Sequence, residues 1–132
     1  MAKLPRLLVV DDMDSVRALV AAIARECGFD VAQASNGKQA LTQCQAAPGG
    51  FAAIVCDWNM PQMNGEEFVN ALRQDDKTTP VIMLTAERDR EKLMALIDMG
   101  INGYILKPFK PADLLKALSQ VAAKVGARAP AA

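Results

Sequence analysis

The chain of 132 residues contains no histidine. That excludes histidine general bases, Ser–His triads, His-ligated zinc or haem, and a protein that phosphorylates itself on histidine. Cysteine is scarce. Cys27, Cys44 and Cys56 are 17 and 12 residues apart and form no C-x-x-C, so neither a zinc knuckle nor a redox pair is indicated. Their odd number, spread through apolar runs, predicts buried free thiols in a reducing compartment. An excess of either charge is also missing. Lys plus Arg is 15 and Asp plus Glu is 15, which argues against a nucleic-acid partner held by bulk charge. No apolar run approaches the roughly 18 to 20 residues of a membrane span. Leu7–Val10 is too brief for a signal-peptide core, so a cytoplasmic protein is expected.

What is present is enough apolar residue, 52%, to build a core within a length that suits one domain. Leu7–Val10 is a short apolar run that stops at Asp11–Asp12, as a strand buried on both faces would. Val16, Leu19, Val20, Ile23, Ala24 and Cys27 then mark one helical face, with Asp14 or Ser15 as its cap and Gly28 as its end. The alternation repeats. Strands are predicted at Asp30–Ala34, Ala52–Cys56, Pro80–Leu84 and Gly103–Leu106. Helices are predicted at Asn36–Ala46, Gly65–Gln74, Arg88–Met99 and Pro111–Val125. The Pro48–Gly49–Gly50 break follows the second helix, and a loop runs from Trp58 to Asn64. Inward stripes are expected at Leu93, Leu96 and Ile97 and at Leu114, Leu118, Val121 and Val125, with Met94 off its stripe as a candidate partner contact. Five strand–helix units predict an α/β fold with an open, doubly wound parallel sheet. One domain is expected over residues 1–126, with a frayed tail at 127–132.

In such a sheet every strand C-terminus lies on one edge, where ligands bind. The strands here end at Asp11 and Asp12, at Asp57, at Thr85 and at Lys107. Singly, each residue has an ordinary reading as a helix cap, a turn residue or a surface lysine. Together they deliver three carboxylates, a hydroxyl and an ammonium to one rim. Crowded carboxylates repel, and a hard divalent cation that keeps some waters, such as magnesium, relieves the conflict. A carboxylate can also act as a nucleophile and carry a phosphoryl group. Asp57 is the best candidate for that role. It stands alone at the end of the most apolar strand, whereas Asp11 and Asp12 are better suited to hold metal.

These residues resemble the receiver domain of two-component response regulators over essentially the whole chain. The match rests on Leu7–Asp12, on Asp57 with Asn59-Met60-Pro61 and Gly65, on Thr85-Ala86, and on Lys107-Pro108-Phe109. Asp57-Trp58-Asn59-Met60-Pro61, Glu87 and Tyr104 look most like the single-domain chemotaxis regulator. The resemblance implies strand order 2-1-3-4-5, five helices and a phosphorylation-activated switch. It implies that Asp57 accepts a phosphoryl group from a histidine kinase. Asp12, Asp57 and the Asn59 carbonyl would bind Mg2+, with Asp11 acting largely through a water. Thr85 and Lys107 would contact the phosphoryl group, Tyr104 would be the aromatic switch, and Lys107–Pro108 would be cis. Asn59 and Glu87 would tune dephosphorylation. The implied output face is formed by the fourth helix, last strand and last helix, with the flagellar motor switch as a downstream target and a phosphatase as a further partner. A monomer with no nucleic-acid or membrane partner is expected. Met13 and Asp14 depart from the family pattern, and Asp14 adds an acid near the rim.

Other readings are a phosphorelay intermediate or phosphate sink, a receiver excised from a longer regulator, and a haloacid-dehalogenase-type phosphatase with Asp12 as nucleophile. The phosphatase reading leaves Asp57 unexplained and lacks a late acidic pair. Flavodoxin-like cofactor binding would need a Gly- and hydroxyl-rich loop where Asp11–Asp12 stands.

Overall fold

The computed structural model describes residues 4–47 and 50–124. The Pro48–Gly49 part of the break, Val125 and the tail fall outside the described residues. Ten elements alternate strictly: β1 (Arg6–Val10), α1 (Asp14–Glu26), β2 (Asp30–Ala34), α2 (Gly37–Ala46), β3 (Ala53–Asp57), α3 (Gly65–Leu72), β4 (Val81–Thr85), α4 (Arg90–Met99), β5 (Gly103–Leu106) and α5 (Pro111–Lys124). The strands form one parallel sheet in the order β2-β1-β3-β4-β5. The apolar runs predict these strands because alternate residues face opposite sides of a sheet covered on both. Leu7, Val9, Ala53, Val55, Ile82 and Leu84 pack under α1 and α5. Leu8, Val10, Ile54, Cys56, Val81 and Met83 pack against residues of α2, α3 and α4.

The helix ends follow local chemistry, with one exception that bears on the site. Asn36 caps α2 by accepting the Gln39 N–H, and Asn64 and Glu67 form a reciprocal capping box at α3. Gly28 (φ 94°) ends α1 as predicted, with its N–H donating to Arg25 and that of Phe29 to Ala24. At the start of α1, however, neither Asp14 nor Ser15 is the cap. Met13 holds that position and makes no side-chain capping bond. The Asp14 carboxylate instead meets Arg17 at 2.5 Å, which removes it from the helix N–H groups.

Three apolar assignments also change. Leu19 and Ile97 are exposed, at 42% and 41%, so both leave the predicted stripes. Ala21 and Ala122 are buried in their helices, while Val121 is only half-buried. A helical stripe about 100° wide leaves its edge positions undecided by periodicity alone. Met94, off its stripe, is exposed rather than peripheral core. The cysteines are free, but only Cys56 is fully buried; Cys27 and Cys44 are half-buried. Burial, aided by Asp76, pushes the Cys44 thiol up to about 11. No helix among the described residues is long and apolar enough to cross a membrane.

Candidate functional site

β1 and β3 are neighbours paired in parallel, so their C-termini emerge side by side. Asp57 is the last residue of β3, and Asp11 follows β1 directly. By strand alternation Asp11 continues the Leu7–Val9 side and Asp57 the Ala53–Val55 side, which is one and the same face. Asp11, Asp12 and Asp57 bring carboxylate oxygens within 4.8 Å of one another. Asp11 and Asp57 are buried and Asp12 is exposed. Lys107, just past β5, reaches in from the far side. Its Nζ lies 2.7 Å from Asp57 Oδ1 and 3.7 Å from Asp11 Oδ2. The Lys107–Pro108 peptide is cis, as the resemblance implied.

The polar groups of Asp11 are almost completely engaged. Its N–H donates to the Ala34 carbonyl, its carbonyl accepts from Arg17 Nη1 at 2.8 Å, and Oδ1 accepts the Met13 N–H. Oδ2 is buried and without a hydrogen-bond partner among the described residues. A buried, unpartnered carboxylate oxygen is costly. Burial is the chief cause that raises the Asp11 pKa, with the Asp57 charge adding to it. Burial likewise raises the Asp57 pKa, outweighing the lowering by the Lys107 contact. One ammonium therefore does not neutralise this rim. A cation accepted by Asp11, Asp12 and Asp57 would, and an all-oxygen, partly solvated donor set suits magnesium.

The remaining predicted residues lie around this centre. Thr85 ends β4, one position past the residue paired with Asp57. Its buried hydroxyl accepts the Glu87 N–H at 2.9 Å, and among the described residues it shares no hydrogen bond with Asp57 or Lys107. Its own O–H hydrogen remains available to an acceptor. Asn59 and Glu87 line a groove of about 510 Å³ beside Trp58 and Thr85, and Lys92 Nζ stands 3.5 Å from the Glu87 carboxylate. Tyr104 is 39% exposed on β5.

The Response regulator receiver domain family matches residues 7–119. The chain belongs to the response regulator receiver family. The receiver is 39% identical to the chemotaxis protein CheY-3 of Vibrio cholerae over 119 residues, 88% of this chain and 90% of that one. It is 35% identical to the chemotaxis protein CheY of Pseudomonas aeruginosa over 123 residues, 91% and 98% of the two chains. The solved structure of Vibrio cholerae CheY4, 40% identical, superposes with a TM-score of 0.81 and covers 90% of this receiver and 99% of that chain. Membership in this family removes the dehalogenase-type reading, in which Asp12 was the nucleophile.

Three residues were given no role by sequence reasoning, two of them beside the rim and Arg73 at the opposite edge of the sheet, where β4 and β5 begin. Arg17 bonds the Asp11 carbonyl. Gly65, at the start of α3, packs so closely on the end of β3 that a Cβ there would stand 2.6 Å from the Asp57 carbonyl oxygen. Arg73 donates to the carbonyls of Asp76, Thr79 and Gly100, tying the end of α3 to the end of α4. Gly65 was visible as part of a motif. Arg73 acts on backbone carbonyls, which carry no sequence signature, and so does the contact of Arg17 with Asp11.

Proposed function

We propose that this receiver is a phosphorylation-activated switch of a two-component system, with Asp57 as phosphoacceptor. The observation that carries the reading is the buried Asp57 carboxylate, held by Lys107 beside an Asp11 Oδ2 that accepts no hydrogen bond among the described residues. The donor is a phosphohistidine of a histidine kinase, which fits a chain without histidine of its own. An Asp57 carboxylate oxygen forms the new O–P bond as the P–N bond breaks. The electron pair of that bond returns to the imidazole, which leaves neutral when its other nitrogen carries the proton. Asp57 becomes an acyl phosphate.

Asp11, Asp12, Asp57 and the Asn59 carbonyl are the groups proposed to hold Mg2+, Asp11 largely through a water. When bound, the ion supplies positive charge against the carboxylates and the phosphoryl oxygens. Lys107 contributes a second positive charge from the opposite side. The Thr85 hydroxyl donates to a phosphoryl oxygen, and Asn59 and Glu87 orient water and set how long the acyl phosphate lasts.

Phosphorylation adds about two negative charges and new acceptor oxygens at the rim. It favours whichever conformation lets Thr85 and Lys107 contact those oxygens better. Tyr104 then turns inward, and the α4–β5–α5 face changes its affinity for a partner. The names of the relatives support a role in chemotaxis; the flagellar motor switch as target and a phosphatase as a further partner are part of the proposal. The test is transfer from a histidine kinase labelled on its phosphohistidine. Label should move to the wild-type receiver in magnesium and stay on the kinase with Asp57→Asn. Equal transfer to both would refute the assignment.

A further inference from the structure

The turn that carries Asp11 and Asp12 opens a helix without a side-chain cap. Something else must hold it. Arg17, one turn into α1, is that group. Its guanidinium donates from Nη1 to the Asp11 carbonyl at 2.8 Å and from Nε to Gln33 Oε1 on β2 at 3.2 Å, and Nη2 pairs with Asp14. The Arg17 side chain is only 17% exposed, whereas Asp14 is 90% exposed. Three donors of one planar fork thus span three acceptors on a turn, a strand and a helix. A lysine, with one compact ammonium, cannot reproduce that spread.

We infer that Arg17 is a positioning residue for the cation site: by gripping the Asp11 carbonyl it sets the Asp11–Asp12 peptide so that both carboxylates meet Asp57. The Asp11 N–H and Oδ1 are anchored elsewhere, so the carbonyl is the last main-chain group of this residue whose direction is open. With it fixed, Oδ2 is left facing the rim. Arg17 works through this peptide: it bonds the Asp11 carbonyl, whereas the cation facing the Asp11 carboxylate is Lys107, 3.7 Å from Oδ2. The same fork pairs with the extra acid, Asp14, which is not among the clustered carboxylates of Asp11, Asp12 and Asp57. The inference rests on the metal reading above.

The test is a magnesium titration of the full chain followed by Trp58 fluorescence, paired with thermal melts in EDTA and in saturating magnesium. Wild type, Asp12→Asn, Arg17→Lys, Arg17→Met and Gln33→Met are compared. Removing a group that orients a ligand weakens metal binding by about tenfold or more, and that loss is expected for both Arg17 variants, with a smaller one for Gln33→Met. The magnesium-induced rise in Tm should shrink in step, because that rise measures binding to the folded state alone. A purely structural arginine would lower Tm equally with and without magnesium. Arg17 variants that bind magnesium like wild type, while Asp12→Asn does not, would overturn the inference and leave the metal site standing. Full rescue by Arg17→Lys would overturn it too, since charge would then suffice. If Arg17→Met does not fold, Arg17→Lys and Gln33→Met decide. Wild type that shows no magnesium response in either readout would remove the metal reading, and the inference with it.

Discussion

Lys107 Nζ sits 2.7 Å from Asp57 Oδ1, across a chain separation of 50 residues. The pair closes the rim from the β5 side and is the positive wall of the proposed phosphoryl site. Replacing Lys107 by Met would leave Asp57 and Asp11 buried without their cation. We predict a loss of about 2 kcal/mol in EDTA, below the full cost of breaking a deeply buried pair because Lys107 retains some exposure. Urea unfolding checks this, and an unchanged midpoint would contradict it. Phosphoryl uptake should fall as well.

The pH dependence has a definite sign. The folded-state pKa values of Asp11 and Asp57 are raised, chiefly by burial. Below the unfolded carboxyl value of about 3.9 both states are protonated and neither group affects stability. As pH rises from there towards the raised values, the unfolded state ionises these groups while the folded state keeps their protons, and stability falls. Above the raised values the loss is constant. We therefore predict that metal-free Asp11→Asn is more stable than wild type at pH 7, with the gap closing towards pH 4 and narrowing in saturating magnesium. A mutant less stable than wild type in EDTA at pH 7 would reject this.

Asp76 behaves oppositely. Burial pushes its pKa up, but hydrogen bonds from the Thr79 side chain and from the Thr79 and Thr78 N–H groups win and hold it below its ordinary value. Its contribution is present above the unfolded value and lost as pH falls through the folded one. Asp76→Ala should cost about 1 kcal/mol at pH 7, with phosphorylation of Asp57 intact. Calorimetry at pH 7 and pH 3 separates the cases: the penalty should shrink at the lower pH.

Gly65→Ala tests the close packing of α3 on the site. The added Cβ meets the Asp57 carbonyl oxygen at 2.6 Å and Trp58 Cα at 3.0 Å, and both are backbone atoms. Overpacking of this kind costs about 1 to 3 kcal/mol, and the shift should also slow phosphorylation. A variant with wild-type stability and uptake would show that the backbone yields freely.

Tyr104 and Met94 are both exposed. Substituting either by Ala should change stability by less than about 0.5 kcal/mol and leave phosphorylation normal, while weakening binding to an output partner. Unchanged partner affinity in both variants would remove the α4–β5–α5 face from the account.

The sheet was legible because each buried strand is a compact apolar run that stops at a polar residue. Leu7–Val10 before Asp11 and Ala53–Cys56 before Asp57 needed no tertiary information. The meeting of Asp11, Asp12, Asp57 and Lys107 followed from topology alone. Leu19 and Ile97 did not follow, because they sit at the edges of helical stripes, where packing against the next element decides exposure. Nor did the start of α1: Asp14 has the right chemistry for a cap, but Arg17 offers it a charged partner one turn away. Arg73 was illegible because its acceptor, the Gly100 carbonyl, is 27 residues distant and belongs to the backbone.

The central claim is that Asp57 carries the phosphoryl group. The most direct test is the intact mass of wild type and Asp57→Asn after incubation with magnesium and a small-molecule phosphodonor. The account predicts one added phosphoryl group on wild type, lost when magnesium is chelated, and none on Asp57→Asn. Equal phosphorylation of both chains would contradict it.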